Sequence, residues 1–328
     1  MPASNVTLKA PLLRFKTLFP GQFGVPGSDV PLGIRTNPTG NVYYVDPNHA
    51  DANDDADGTD PEQPLKTITE ALTRCANFAG DVIAVSANND WPYGTATAGR
   101  TAAIEEAVTV NKHGVSIIGL APSSPIGVIW KPPTAAGIAC TISALDVLIE
   151  GFAFCESDDG AGGGTGIYCE WNGTTAWGDG AHIRNCYFGD ALDYGVQLEY
   201  SWNTFIEDCE FVECVEAGIY SDPADSAPAS LVIQRNRFLD CGLGQSGAII
   251  VAETIDSLIQ GNWIYNGTAQ SGVGVALEGI DTHSGGDNIV SGNYLSCALA
   301  DFGTFCDSAA TDAWINNYLL NGPSVTNP

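Results

Sequence analysis

The chain has 328 residues, 44% hydrophobic and only 16% charged, which gives it enough apolar mass for a sizeable core and excludes disorder over most of its length. Thirty-nine acids against twelve bases leave a formal charge of −27. A sheath of that sign repels nucleic acid and anionic membrane surfaces, excluding both as partners, and repels anionic polysaccharides unless a cation bridges them.

Residues 1–41 are rich in Pro and Gly and carry Leu12, Leu13, Phe15, Leu18, Phe19 and Phe23 among the bases Lys9, Arg14, Lys16 and Arg35. Lys9, Pro11, Arg14 and Lys16 break the apolar run too often for a secretory signal. A basic, apolar arm on an acidic body is expected to dock onto another protein, with Leu12, Leu13, Phe15 and Phe19 as contacts. Residues 42–80 read as a strand (42–45), an acidic loop, and a helix from Thr67 to about Phe78. Thr67 and Glu70 form a capping-box pattern there, and Gly80-Asp81 ends it. Within the loop, Asn53, Asp55, Asp57 and Asp60 place oxygen ligands at alternate positions around Gly58, as in a calcium loop. Pro64 occupies the place of the closing Glu, so a solvated acidic turn is the plainer reading, and Ca²⁺ is the one cofactor suggested. Val82–Val85 begins a strand, and residues 107–120 read as the first full coil of a body spanning 81–328.

From Leu148 on, the sequence repeats. The segments LIEGFAF (148–154), HIRNCYF (182–188), FIEDCEF (205–211), VIQRNRF (232–238), LIQGNWI (258–264), IVSGNYL (289–295) and WINNYLL (314–320) align on Ile149, Ile183, Ile206, Ile233, Ile259, Val290 and Ile315. Five residues later stand Phe154, Phe188, Phe211, Phe238, Ile264, Leu295 and Leu320; a glycine followed by a small or β-branched residue comes after most of them, as in Gly166-Ile and Gly218-Ile. A period of roughly 20–35 residues built from short strands marks a β-solenoid, about three strands to a turn. Glycine interrupts the pattern too often for helical repeats. Cys186, Cys209, Asn236, Asn262 and Asn293 fall three residues after their anchors, a column of stacked side chains at a turn. Cys214 and Cys241 also match. Ten cysteines in this chain are read as buried thiols or as coil-to-coil disulfides, with the redox state open.

The N-terminal part resembles the pectate-lyase-like superfamily of right-handed parallel β-helices. The resemblance is carried by Tyr44-Val-Asp46, the loop ending Gly58-Thr59, the segment from Pro64 to Leu72, Gly80-Asp-Val-Ile83 and Val115-Ser-Ile-Ile-Gly119, and it covers about residues 42–320. It implies an all-β solenoid of about ten coils with the helix capping the open end. It does not fix an activity, because that superfamily spans polysaccharide lyases, glycoside hydrolases, epimerases, phage tailspikes and non-enzymatic virion proteins. A lyase of the family implies acidic Ca²⁺ ligands with a basic residue. A hydrolase implies close aspartates with His and an Arg-x-Lys.

Neither set is evident. After Arg74 the bases are Arg100, Lys112, Lys131, Arg184, Arg235 and Arg237, and no Arg-x-Lys occurs. The catalytic candidates are Asp190, Asp193 and Arg237, a carboxylate pair and a base from neighbouring coils, with surface ion pairing as the plainer reading. Strand alternation makes the residue before each anchor an outward column: Leu148, His182, Phe205, Val232, Leu258, Ile289 and Trp314. A second outward column reads Tyr168, Gln197, Tyr220, Ile249, Ala276 and Phe305, whose Tyr168 and Tyr220 suit a sugar platform. An apolar stripe of that length needs cover. The expectation is therefore a homotrimer bonded through Leu148, Phe205, Val232, Leu258, Ile289 and Trp314. That makes the chain a structural phage virion protein, a capsid decoration or a spike or fibre component attached to capsid or tail proteins, with a surface glycan as a further partner. The alternative is a secreted polysaccharide lyase or glycoside hydrolase on the same scaffold.

Overall fold

The computed structural model describes residues 40–86, 103–120, 128–134, 136–156, 163–171, 177–189, 192–221, 228–242, 247–251, 253–266, 278–282, 285–297, 306–307 and 310–319. The arm contacts Leu12, Leu13, Phe15 and Phe19 lie outside them. Three parallel sheets run side by side, of ten, nine and eight strands. Sheet 1 starts at Val42–Val45 and ends at Ala313–Ile315; sheet 2 runs from Ile104–Glu105 to Tyr318–Leu319; sheet 3 runs from Val108–Val110 to Cys306–Asp307. The chain visits the sheets in the order 1, 2, 3 on every winding, so each strand pairs with the equivalent strand one turn away. The solenoid begins earlier than residue 107, since Val42–Val45 already pairs with Val82–Val85. Among the described residues only eight windings carry all three strands, because the first rung is a lone strand and the last has two. The expected ten coils are therefore an overcount, with about six turns lying between residues 165 and 327.

The helix spans Ile68–Arg74 and stops four residues short of the expected Phe78. Thr67 caps it by accepting from the Glu70 amide, but the box is half formed: the Thr67 amide donates to Asp54 Oδ1 at 3.0 Å, and Glu70 turns instead to Arg74 at 3.0 Å. Ile68, Ala71 and Leu72 are buried in the same core as Val45, Leu65 and Val85.

The repeat has a physical cause in three columns. Ile149, Ile183, Ile206, Ile233, Ile259 and Val290 are fully buried above one another. The rings of Phe154, Phe188, Phe211 and Phe238 form a continuous stack, with centroids 5.1, 4.8 and 4.6 Å apart and planes within 8° of parallel. The repeat glycines face this stack. A Cβ on Gly195 would lie 2.6 Å from Phe211 Cδ1, and one on Gly218 2.7 Å from Phe238 Cδ1, so only glycine fits. One winding on, Ile264 replaces the phenylalanine, and the facing residue is Ala248.

The third column is the tight corner between sheets 1 and 2. Its first residue is left-handed in every winding from Gly151 to Asn316, at φ between 50° and 81°. Its second residue forms an asparagine ladder. Asn262 Oδ1 accepts from the Asn236 amide at 2.9 Å, while Asn262 Nδ2 donates to the Ile233 carbonyl at 3.0 Å; Asn293 and Asn317 repeat the pattern. Earlier in the column, Cys186 Sγ and Cys209 Sγ reach the corresponding carbonyls of Ile149 and Ile183 at 3.9 and 3.8 Å. Cys186, Cys209, Cys214 and Cys241 are buried free thiols, and burial pushes Cys209 well up from its ordinary value.

The last winding corrects the alignment. Val290 pairs with Trp314, not Ile315, so Trp314 is the inward anchor at 3% exposure and Ile315 points out at 47%. Shifting by one residue exchanges faces. Asn317, three beyond Trp314, then continues the ladder. Trp314 therefore leaves the expected apolar stripe, and Ala313 takes its place. Leu148 is also buried, while Phe205, Val232 and Leu258 are half-buried and Ile289 is exposed. Ile249 is likewise core, not outward: it pairs with Ile219, and Tyr220 pairs with Ile250.

Candidate functional site

The outer face of sheet 3 at Thr165–Cys169, Tyr194–Leu198 and Ala217–Ser221 gathers acids and aromatics. Its placement follows from the core, where the glycine of each strand sits on a phenylalanine ring and the next residue (Ile167, Val196, Ile219) is fully buried. The residues flanking this pair line two columns, with Thr165 and Ala217 buried and the others half-buried. They form one column of Thr165, Tyr194 and Ala217 and another of Tyr168, Gln197 and Tyr220.

Two residues before the glycine, Asp193 and Glu216 stand on adjacent windings. The Glu216 amide donates to the Asp193 carbonyl at 3.0 Å, and Asp193 Oδ2 accepts from the Gly164 amide at 3.3 Å. Residues so related are about one rung, roughly 4.8 Å, apart. Burial, and then the charge of Asp193, raise the Glu216 carboxyl above its ordinary range, so it holds its proton longer than a solvated acid. Beside them the rings of Tyr194 and Tyr220 stack at 4.7 Å. Thr165 Oγ1 donates to Gln197 Oε1 at 3.4 Å, the Tyr168 hydroxyl donates to Glu199, and Trp171 packs on Tyr200 at 4.1 Å. A carboxyl raised by burial and by its acidic neighbour, together with stacked rings, supplies elements for acid-assisted chemistry on a sugar.

Of the catalytic candidates read from sequence, Asp193 borders sheet 3 and Arg237 lies in sheet 2. Asp193 is at the site. Asp190 lies outside the described residues. Arg237 belongs to sheet 2, where its guanidinium meets Glu210 Oε1 at 2.5 Å and lies over the Trp263 ring at 5.4 Å. Glu216 was missed, although its offset from Gly218 is that of Asp193 from Gly195. Of the two tyrosines expected as a sugar platform, Tyr168 is engaged by Glu199, and Tyr220 stacks on Tyr194.

In the acidic loop, three of the four expected cation ligands turn back on their own chain. Asn53 Oδ1 accepts from the Asp55 amide, Asp57 Oδ1 from the Thr59 amide and Asp60 Oδ1 from the Glu62 amide, each at 3.0 Å. These side chains close turns on their own backbone. Among the described residues no group of three or more His, Cys, Asp or Glu is placed to hold a metal.

A second polar cluster, on the outside of sheet 1, behaves oppositely. Glu207 meets His182 Nε2 at 2.6 Å, Gln234 Nε2 at 2.7 Å and Arg235 at 2.7 Å. Burial acts to raise this carboxyl, but the hydrogen bonds from Gln234, His182 and Arg235 together hold it down at about 2. Arg235 also grips Asp208 at 2.8 Å. Glu207 is a fixed carboxylate that ties three windings together, and it has no proton to give near neutrality.

Comparison with known proteins supports the architecture. Residues 165–327 match the family model for the right handed beta helix region. The sequence has no match among curated proteins. Among solved structures, the GH136 lacto-N-biosidase from Eubacterium ramulus is similar over 85% of this chain, with 14% identity and a TM-score of 0.58; its selenomethionine derivative gives 84%, 14% and 0.52. This chain spans 56% of that protein's length. A pectate lyase variant from Xanthomonas campestris is similar over 90% of this chain and 84% of its own, with 15% identity and a TM-score of 0.49. The stacked strands make this chain a parallel β-solenoid, and its C-terminal half is similar to the right handed beta helix region.

Proposed function

We propose that the chain is a carbohydrate-active β-helix, a glycoside hydrolase acting on a neutral glycan at the outer face of sheet 3. The observation that carries this reading is the pairing of Glu216 with Asp193 one rung apart, beside the Tyr194–Tyr220 stack. Protonated Glu216 gives its proton to the glycosidic oxygen as the Asp193 carboxylate attacks the anomeric carbon. Water then attacks the glycosyl–Asp193 ester and returns a proton to Glu216, which restores both acids and releases the sugar. Residues one rung, roughly 4.8 Å, apart are near enough for this two-step, retaining course. None of the strands of sheet 3 contains Lys or Arg, so the face offers neither a basic residue for proton abstraction nor a positive side chain for a uronate. The net charge of −27 points the same way.

The test is cleavage of a panel of neutral oligosaccharides, read as new reducing ends. Glu216→Gln and Asp193→Asn are each expected to lower the rate by about a hundredfold or more. Absence of cleavage across the panel, or full rates in both variants, would refute the assignment.

A second reading, a trimeric structural component of a virion, is favoured by the outward column of Phe205, Val232, Leu258 and Ile289 on sheet 1. Sedimentation of the full chain tests it. A trimer dispersed by Val232→Asp supports it, and a monomer at micromolar concentration removes it.

A further inference from the structure

The outer face of sheet 2 changes character along the solenoid. In early windings its outward side chains are closed over, with Ala153, Cys155 and Tyr187 buried alongside Ile129. Register sets Arg237, Trp263, Tyr294 and Tyr318 in one column and Leu239, Tyr265 and Ser296 in the next. From Arg237 onward the first of these columns stands open, and so does Tyr265 in the second. Trp263, Tyr265, Tyr294 and Tyr318 are 49, 41, 51 and 46% exposed. Tyr294 and Tyr318 stack at 5.4 Å, and Arg237 is neutralised by Glu210 where it lies over Trp263. Nothing in the fold forces aromatics here, since the same column accepts Glu210 and Arg237.

We propose that this ladder is a second binding surface, one that holds an extended neutral polysaccharide and delivers it to the solenoid. It takes carbohydrate as the ligand class from the reading of sheet 3. Each ring presents an apolar body with a polar tip, the complement of a sugar with its C–H faces and hydroxyls. The rings recur at each rung, so successive sugars meet equivalent contacts. Charge selects the occupant: with −27 on the body, an anionic polymer or a second copy of the chain approaches against repulsion, and a neutral glycan does not.

Affinity electrophoresis of the full chain tests this, using gels cast with soluble β-glucan, xylan or galactan and with polygalacturonate as the anionic control. At least one neutral polymer is expected to retard the protein, polygalacturonate is not, and Trp263→Ala with Tyr294→Ala weakens retardation roughly tenfold or more. That double variant still cleaves a short neutral oligosaccharide, whereas Glu216→Gln loses cleavage and keeps retardation, so failure of either site is read separately. Trp263→Ser alone carries the same expectation should the double variant lose its circular dichroism signature. No retardation by any neutral polymer overturns the proposal, as does equal retardation of the variants. It also falls if the variants change the sedimentation mass instead of glycan binding, which would make the face a contact between copies.

Discussion

The windings from Leu148 to Asp240 and those from Ser257 to Leu319 repeat the same strands but differ in which side of sheet 2 carries most of their aromatic rings, with Tyr187 the outward exception in the first. In the first region the ring is five residues after the anchor, as in Phe188 and Phe211, and points into the core. In the second it is four residues after, as in Trp263, Tyr294 and Tyr318, and points into solvent. One position decides between a structural and a displayed ring, because strand side chains alternate. The interior adapts accordingly. The first region holds its rungs with a phenylalanine stack that demands glycine on sheet 3. The second uses aliphatic side chains and relies on the asparagine ladder at the corner.

The largest effect is expected from Phe211→Ala, which opens the centre of the stack and costs about 3–5 kcal/mol in denaturant unfolding. Trp263→Ala, outward on the same sheet, stays within about 1 kcal/mol. A loss at Trp263 as large as at Phe211 would erase the distinction between the regions. Asn262→Ala probes the other region. It strips the Asn236 amide and Nδ2 of their acceptor and should cost about 2–3 kcal/mol.

Gly218→Ala sharpens the comparison, because its Cβ meets Phe238 and a cost of about 1–3 kcal/mol follows. In a Phe238→Ile background the first region imitates the second, where Ala248 faces Ile264. The penalty for alanine should then shrink by about 1 kcal/mol, and strictly additive costs would show that ring and glycine are not coupled.

Acid probes the outside of sheet 1. The carboxyl of Glu207 is depressed when folded, so its contribution is complete above its ordinary range near 4.5 and is lost as pH falls towards about 2. Half-exposed Arg235 admits screening, which leaves about 1–2 kcal/mol. Thermal melts between pH 6 and 2 of the wild type and Glu207→Gln should converge as pH drops.

Much of this was legible in the sequence. The anchor isoleucines, the phenylalanines and the asparagines gave the solenoid directly, since each column is one residue type repeated for one packing reason. The last winding misled because Ile315 matches the anchor in type, while the register is held by Asn317 and the bulk of Trp314 fills the final turn. Alignment on the asparagine would have found it. The site was harder to read. Asp193 and Glu216 differ in identity, and only their shared offset from glycine joins them. Around Asn53, Asp57 and Asp60, spacing along the loop does not reveal which backbone amides those oxygens will cap.

The central claim is that Asp193 and Glu216 act together on a sugar from one rung apart. The anomeric configuration of the first product released from a neutral oligosaccharide, followed by proton NMR before mutarotation, tests it most directly. Retention is predicted by the one-rung placement of the two residues. Inversion, or retention that persists unchanged in Asp193→Asn, would contradict it.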